Sequence, residues 1–553
     1  MASRLIHPPI TLWKFLTADL WKRILLTAAI LVTVIAFAAA IQPLADGQVG
    51  AIDALRFMGL AIVPMLQFAL PFAAGFAATL TYHDFAADNE AMACSAGGIT
   101  YKALLGPATI TGLVLAAVIY LLTTTLIPRF FAQIEQLIAR DIARLLTTSI
   151  ERGDSVTLKD LTIHADNVAN LGPDAQIGAT DRLVLQGVVA VATDKAGNIE
   201  VDVTAKRADV WLFRADQDNQ PETRIVMQLT DAHGKQAGAG SVDLSQHQLG
   251  PWSMPSGVRD RIKTRTAGEL RRLYRDPDLR PSIDQRRREL AAQLSARILE
   301  AELAEAAARD QRITLVSPES RVDLITAGLV RDGPRWSVVP QVPGEPIEII
   351  WREQDDGIRR QLAGAAALEI AVDPQSAKSK ITLLLEQVRF ADAQGEALRE
   401  SVTRSELTAT IEVPTPFFEQ PSAALLGAAD NLMHSAPNDP AINPIKTQAR
   451  KLRKNIVRVR HEIIGHQQER FALSAATLIM TILGAILALK LKDSLPLTVY
   501  LWSFFPALLA LITISGGSNA ATDNLILGVT VIWAGVGALA LLTLREFVTL
   551  RRH

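Results

Sequence analysis

Six stretches of this 553-residue chain contain no Asp, Glu, Lys, Arg or His, and their placement restricts its fold more than any other feature. Three lie near the front, at 24–45, 57–82 and 103–128. Three lie near the back, at 471–489, 494–522 (with a span over about 495–515) and 524–544. A helix needs roughly 20 apolar residues, at ~1.5 Å each, to cross a bilayer core, and each stretch is about that long. An odd number of crossings on either side of the polar middle puts that middle on the opposite face from both termini. The pattern predicts a membrane α-helical protein with six transmembrane helices, three plus three, around one large external domain.

Short loops set the orientation. Residues 1–23 carry Arg4, Lys14, Lys22 and Arg23, the 490–493 loop carries two lysines, and the tail carries Arg545, Arg551 and Arg552. The 46–53 and 516–523 loops carry no Lys or Arg. Positive residues stay inside, so both termini are expected in the cytoplasm and the middle outside. Arg129, Arg140 and Arg144 run against this, but they flank a long translocated domain, where the rule is weak. Lys22-Arg23, an apolar run and Ala38-Ala39-Ala40 have the form of a signal peptide. The region ahead of the run is too long for one, and cleavage would leave an odd count of crossings, so the first helix is expected to remain. Cys94 is the single cysteine, which rules out an intramolecular disulfide and a cysteine-based metal site. The 56 basic and 57 acidic residues nearly cancel and lie mostly in the interior, so no nucleic-acid partner is expected.

The external block changes period along its length. Residues 129–148 read as a helix continuing the third span. Short strands follow at 161–165, 183–192, 199–205, 210–213 and 225–229, with turns at 194–198 and 231–234. Together they suggest an antiparallel sandwich or barrel-like sheet over 149–257. The 258–312 segment is charged and helical, with Leu290, Leu294, Ile298, Leu299 and Leu303 as an apolar stripe that packs on the sheet. A second strand-rich region, 313–415, includes 347–351, 381–385 and 407–413, and either completes the first sheet or forms another. A Pro/Ala/Asn-rich linker is expected over 416–445. The 446–470 helix then leads into the fourth span, with Leu452, Ile456, Val459 and Ile463 on one face and basic residues on the rest. Those basic residues are either a solvated face or a contact for anionic lipid headgroups, through Arg458 and Arg460, with Lys22 and Arg23 as further candidates.

Much chemistry is missing. No Gly-rich phosphate loop ends in Lys-Ser/Thr, and no His-Glu-x-x-His or Gly-x-Ser-x-Gly occurs. His233, His247 and His466 are scattered and read as surface residues. An ion-coupled carrier or intramembrane enzyme would place ionisable groups inside its spans, and these have none; Gln67 reads as interhelical glue. The chain is therefore expected to be non-catalytic, to hold no cofactor or metal, and to draw any transport energy from a partner.

The loop between spans two and three is where a partner could act. Asp84 and Asp88 are candidate N-caps, Glu90 lies in the first turn, and Ala91, Met92, Ala93, Cys94 and Ala96 favour a short helix within 84–97. Gly97-Gly98 ends it. Glu90 either pairs with an arginine on an ATPase subunit or only complements the helix dipole. Glu90, the apolar helix and Ala96-Gly97-Gly98-Ile99-Thr100 resemble the coupling helix of the LptF/LptG (YjgP/YjgQ) family of lipopolysaccharide export permeases. The three-plus-three arrangement and the 203–234 stretch, with its Ala-Lys-Arg-Ala-Asp and Leu-Thr-Asp-Ala-His-Gly segments, are similar to that family too. The external block is longer than the family's, so 311–415 reads as an insertion, and Ser95 stands where a long polar or basic residue is common.

The resemblance implies a permease subunit of an ATP-driven ABC-type exporter that extracts lipopolysaccharide or a related glycolipid. The location would be the inner membrane of a diderm bacterium, with a periplasmic, mainly-β, jellyroll-like domain plus helical insertions. ATP would sit on a cytoplasmic LptB-like ATPase, with a second LptF/LptG-type permease and an LptC-like periplasmic single-span protein as further partners. Glu90, Ala91, Met92, Ala93, Ala96, Gly97 and Gly98 would transmit force, and spans one and five would help form a lateral gate. The alternative is a membrane-anchored periplasmic scaffold without transport, which explains the large block but not the ion-free spans.

Overall fold

The computed structural model describes residues 9–45, 51–130, 147, 150–151, 153, 155–158, 161–174, 177–193, 199–217, 220–236, 241–254, 262–316, 320–332, 335–353, 358–374, 377–391, 397–411, 417–437, 439 and 442–552. They fall into two compact units, one of Met1–Arg272 with His461–His553 and one of Leu273–Arg460.

In the first unit the front helices are α1 (Ile10–Ala45), α2 (Ala51–Ala87), α3 (Glu90–Ala96), α4 (Tyr101–Leu104) and α5 (Gly106–Leu121), which runs into a π-helical turn at Leu122–Leu126. Among the described residues six helices are long and apolar enough to cross a membrane. On α1 the buried residues Leu16, Leu20, Ile24 and Ala28 recur every four positions, one stripe against the bundle. The other face is apolar as well: Leu26 is 65% and Ile30 57% exposed. A helix apolar on both faces suits lipid, not water.

The helices close on one another through small residues. A Cβ on Gly484 would lie 2.6 Å from the Gly75 carbonyl oxygen, so the second and fourth spans meet backbone to backbone. Buried Thr477 and Thr481 donate to the carbonyls of Leu473 and Thr477, four residues back, so their hydroxyls are satisfied within their own helix.

The first unit also holds a six-stranded antiparallel meander, each strand beside the next in sequence: β1 (Val156–Leu158), β2 (Leu161–Asp174), β3 (Ala179–Thr193), β4 (Ile199–Gln217), β5 (Gln220–Gln236) and β6 (Ser241–Met254). Its strands are longer than the periodicity suggests, because they break step along one row that runs from β2 to β6. Asp166, Gly187, Lys206 and Asp231 drop out of the pairing between Ala165↔Val188 and Asn167↔Gln186 and at the matching places across the sheet. Gly187 and Asp231 have φ of 62° and 51° there. On β3 the buried positions switch from Leu183 and Leu185 to Val188 and Ala190 as the row is crossed, which keeps the apolar side chains on one face. The expected 199–205 and 210–213 strands are thus the two halves of β4. The turn expected at 231–234 is a kink inside β5, at an Asp whose short side chain tolerates positive φ. Most of the expected 129–148 helix, and the 194–198 turn, lie outside the described residues.

The second unit carries a separate nine-stranded antiparallel sheet. Its strands are β7 (Arg312–Val316), β8 (Ser320–Ile325), β9 (Gly328–Asp332), β10 (Arg335–Val339), β11 (Ile347–Glu353), β12 (Ile358–Ala363), β13 (Ala365–Val372), β14 (Ser379–Ala391) and β15 (Ala397–Ile411). Their order is β7-β8-β11-β12-β14-β13-β10-β9, with β15 on β14. Among the described residues there are therefore two sheets, and the second does not complete the first. Helix α6 (Ala267–Arg275) leads into this unit, and α7 (Pro281–Asp310) packs Leu299, Leu303 and Ala307 into a core with Leu324, Ile349, Leu368 and Leu383. Ile298, expected in the stripe, is 41% exposed: it is adjacent to Leu299 and so turns off the buried face.

The segment expected as a linker, 416–445, contains α8 (Ser422–Ser435), with Leu425 and Ala429 buried one turn apart. Arg287 of α7 donates to the Phe418 and Gln420 carbonyls at 2.6 and 3.1 Å, and Asp278 accepts from the Ser422 backbone N–H at 2.8 Å. These bonds fix the start of a helix that composition alone does not announce. Helix α9 (Ile442–Lys490) follows, then α10 (Pro496–Ala521) and α11 (Leu525–Leu550) complete the bundle.

Candidate functional site

Helix α3 is a seven-residue segment with no fully buried residue. Ala91 and Cys94, three apart and so on one face, pack against the bundle core. Glu90, Met92, Ala93, Ser95 and Ala96 are exposed, Met92 by 57%. The helix is docked by one edge and offers the rest outward. Among the described residues Glu90 makes no ion pair, so its carboxylate is available. Burial, and then the charge of Glu90, push the Cys94 thiol up from its ordinary value.

Both ends of α3 are fixed by backbone geometry. Ile99 N–H donates to the Cys94 carbonyl at 2.9 Å and Gly98 N–H to that of Ser95 at 3.0 Å, a Schellman close that requires Gly98 at φ 82°. At the front Asn89 takes φ 62° and caps nothing with its side chain. The expected 84–97 helix is therefore divided. Residues 84–87 are the last turn of α2, Asp88-Asn89 is a turn, and only Glu90–Ala96 is free-standing. Neither Asp84 nor Asp88 is an N-cap. Asp84 is bound to Arg23 instead, and Phe85 and Ala86 are buried in the core, which carries α2 onward.

Four anchors hold this end of the bundle. Arg23 pairs with Asp19 at 2.9 Å and with Asp84 at 2.7 Å, and Thr81 donates to Asp19 at 2.9 Å, which joins α1 to α2. Trp13 Nε1 donates to the Ala103 carbonyl at 2.9 Å, and its ring lies where a Cβ on Gly106 would come within 2.3 Å. The buried Tyr82 hydroxyl donates to the Leu104 carbonyl at 3.0 Å and accepts from the Ala108 N–H at 3.3 Å. Lys490 and Glu546 pair at 2.5 Å, joining the end of α9 to that of α11. These contacts tie α1, α2, α4 and α5 to one another on either side of α3.

A family model with the description lipopolysaccharide export system permease LptF/LptG matches residues 16–223. Over that stretch the chain is similar to the LptF/LptG family. The match takes in the first three spans, α3 and the first sheet as far as β5, and includes none of the second unit. No curated protein matches the chain.

Of the residues singled out from the sequence, the LptF/LptG match covers Glu90, Ala91, Met92, Ala93, Ala96, Gly97 and Gly98, and all lie together on α3 and its C-terminal turn. Of the four candidate headgroup cations, two lie in the first unit and two in the second. Arg23 is committed to Asp19 and Asp84, Lys22 is exposed beside it, and Arg458 and Arg460 are exposed on the part of α9 in the second unit. Arg460 lies over the Tyr274 ring at 5.8 Å.

His466, expected on the surface, is 5% exposed, because Glu469 and Ser518 take up its ring nitrogen at 2.7 and 3.0 Å. The sequence held signals for two of these features. Asp19 and Arg23 are spaced i,i+4 and His466 and Glu469 i,i+3, both pairing distances on a helix. Nothing in it pointed to the Trp13–Ala103 bond.

Along the kinked row of the first sheet runs an open groove of about 740 Å³, lined by His164, Asp166, Thr204, Lys206, Asp231 and His233 among others. Among the described residues no group of three or more His, Cys, Asp or Glu is placed to hold a metal ion.

Proposed function

We propose that this chain is the permease subunit of an ATP-driven ABC-type exporter that lifts lipopolysaccharide, or a related glycolipid, out of the inner membrane and passes it to a periplasmic bridge. Both termini and α3 face the cytoplasm, and both sheets face the periplasm. The observation that carries the reading is α3 itself. Inside the family-matched stretch a short helix is anchored by Ala91 and Cys94 and presents Glu90 and Met92 outward, on a bundle whose span cores hold no ionisable group to drive transport.

An LptB-like ATPase receives Glu90 through an arginine and pushes α3 as it closes on ATP. The load passes through the Arg23–Asp84 and Trp13–Ala103 contacts into spans one to three, and the cavity shared with a second LptF/LptG-type permease narrows. An LptC-like partner takes the lipid from the first sheet. Lys22 and Arg23 lie at the cytoplasmic end in this orientation, so headgroup contact falls to Arg458 and Arg460. The subunit performs no chemistry of its own; ATP is bound and cleaved on the partner.

The test is reconstitution. The chain, the second permease and the ATPase are placed in vesicles containing lipopolysaccharide, and hydrolysis and lipid release are followed together. Release that requires ATP and all three chains supports the reading. A chain that binds no ATPase supports the membrane-anchored scaffold instead.

A further inference from the structure

Arg470 is 7% exposed, and among the described residues it forms no ion pair with a carboxylate. Its Nη2 donates to the backbone carbonyls of Arg265, at 2.8 Å, and Lys263, at 3.5 Å. Its Nη1 is buried without a hydrogen bond. The adjacent carboxylate of Glu469 is occupied elsewhere, accepting from Ser518 at 2.6 Å and bonded to His466 at 2.7 Å. Next along α9, Phe471 stacks on Tyr120 of α5 with centroids 5.0 Å apart.

A buried guanidinium bonded to carbonyls and to no carboxylate among the described residues is a poor way to gain stability, and an apolar side chain of similar length would fill the place at lower cost. What the guanidinium adds is a link between two particular parts of the chain. Ile262–Thr264 is a single 3₁₀ turn, with Ile262 buried, on the stretch by which the chain returns from β6 of the first sheet. Arg470 stands at the end of the fourth charge-free run.

We propose that Arg470 is a positioning residue, which seats the return segment of the first sheet on the end of span four so that movement of α9 is delivered to the sheet. Glu469, held by His466 and Ser518, fixes the helix face from which the guanidinium reaches out and ties it to α10. The seating does not depend on the transport reading; its use in lipid transfer does.

The test uses the full chain in lipid nanodiscs, with Cys94→Ser and spin labels at Gln186→Cys, exposed on β3, and Ile526→Cys, 81% exposed at the start of α11. With Arg470 present the label-to-label distance distribution is narrow. Arg470→Met removes both carbonyl bonds and a buried charge, so the thermal midpoint stays the same or rises while the distribution at least doubles in width. Arg470→Lys keeps the charge and one donor and gives an intermediate width. Arg470→Met with the parent's distribution overturns the proposal. So does a fallen midpoint shared equally by the Met and Lys variants, which would make the residue a packing element only. In the reconstituted exporter Arg470→Met raises the ATP consumed per lipid released several-fold. If the parent chain binds no ATPase, the transport reading fails while the distance measurement still decides the seating.

Discussion

Gly106→Ala is the sharpest perturbation of the α3 platform. The added methyl would lie 2.3, 2.7 and 2.8 Å from three Trp13 ring carbons, against about 3.5–4.0 Å for an ordinary carbon contact. Trp13 cannot recede without giving up its 2.9 Å bond to the Ala103 carbonyl. Overpacking costs about 1–3 kcal/mol, the lost hydrogen bond about 0.5–1.5, and the better helix propensity of Ala returns about 1, for a net loss of about 0.5–3.5 kcal/mol. In a Trp13→Ala background the obstacle is gone and the same change gains about 1 kcal/mol, so the coupling energy is about 1.5–4.5 kcal/mol. Unfolding free energies of the parent, both single variants and the double variant close the cycle. Alkylation of Cys94 reports in parallel whether α3 has loosened, and should speed up in each variant that breaks the Trp13–Ala103 bond. An equal effect of Gly106→Ala in both backgrounds would refute the argument that Trp13 braces this loop.

Three further outcomes follow from the same geometry. Asp209 on β4 is raised by burial, but its hydrogen bonds to Arg207 and Arg182 and their charges outweigh this and hold its carboxyl below the usual carboxylate range. A depressed folded value contributes stability that is complete above the unfolded value of about 3.9 and is lost as pH falls through the folded one, so acid unfolding of the first sheet should steepen below about pH 4 and flatten in Asp209→Asn. Gly98→Ala meets open space but must hold φ 82°, which costs about 1–2 kcal/mol of loop stability, while Gly98→Asn costs less; amide exchange at Ile99 reads both. Glu90→Gln removes one of the two influences that raise the Cys94 thiol, so alkylation near neutral pH should become faster with no change in fold.

The spans were legible because lipid leaves a coarse mark: a run of about 20 residues without charge has few other readings. Their ends were not, since α1 continues back to Ile10 through Lys14, Asp19, Lys22 and Arg23, held by pairing and packing that a hydropathy pattern does not register. The short helix α3 was legible in its residues, and the bracing around it was hidden. Glu90 and Gly97-Gly98 announce a short capped helix by local chemistry alone, whereas Arg23–Asp84 and Trp13–Ala103 join residues 61 and 90 positions apart. The first sheet failed in an instructive way. A kink at Lys206 reverses the inward parity of β4, and a reversal of parity reads as the end of one strand and the start of another. The two-sheet division depended on which strands pair, and strand spacing carries no information about pairing partners.

The claim that energy enters through α3 is tested most directly by binding. The complete chain, as parent and as Glu90→Lys, is co-purified with the ATPase and second permease of its own cell, and the ATPase retained per permease is measured. Reversing the charge should reduce retention at least tenfold and remove lipid-stimulated hydrolysis while the thermal midpoint stays put. Full retention and full stimulation with Glu90→Lys would contradict the account.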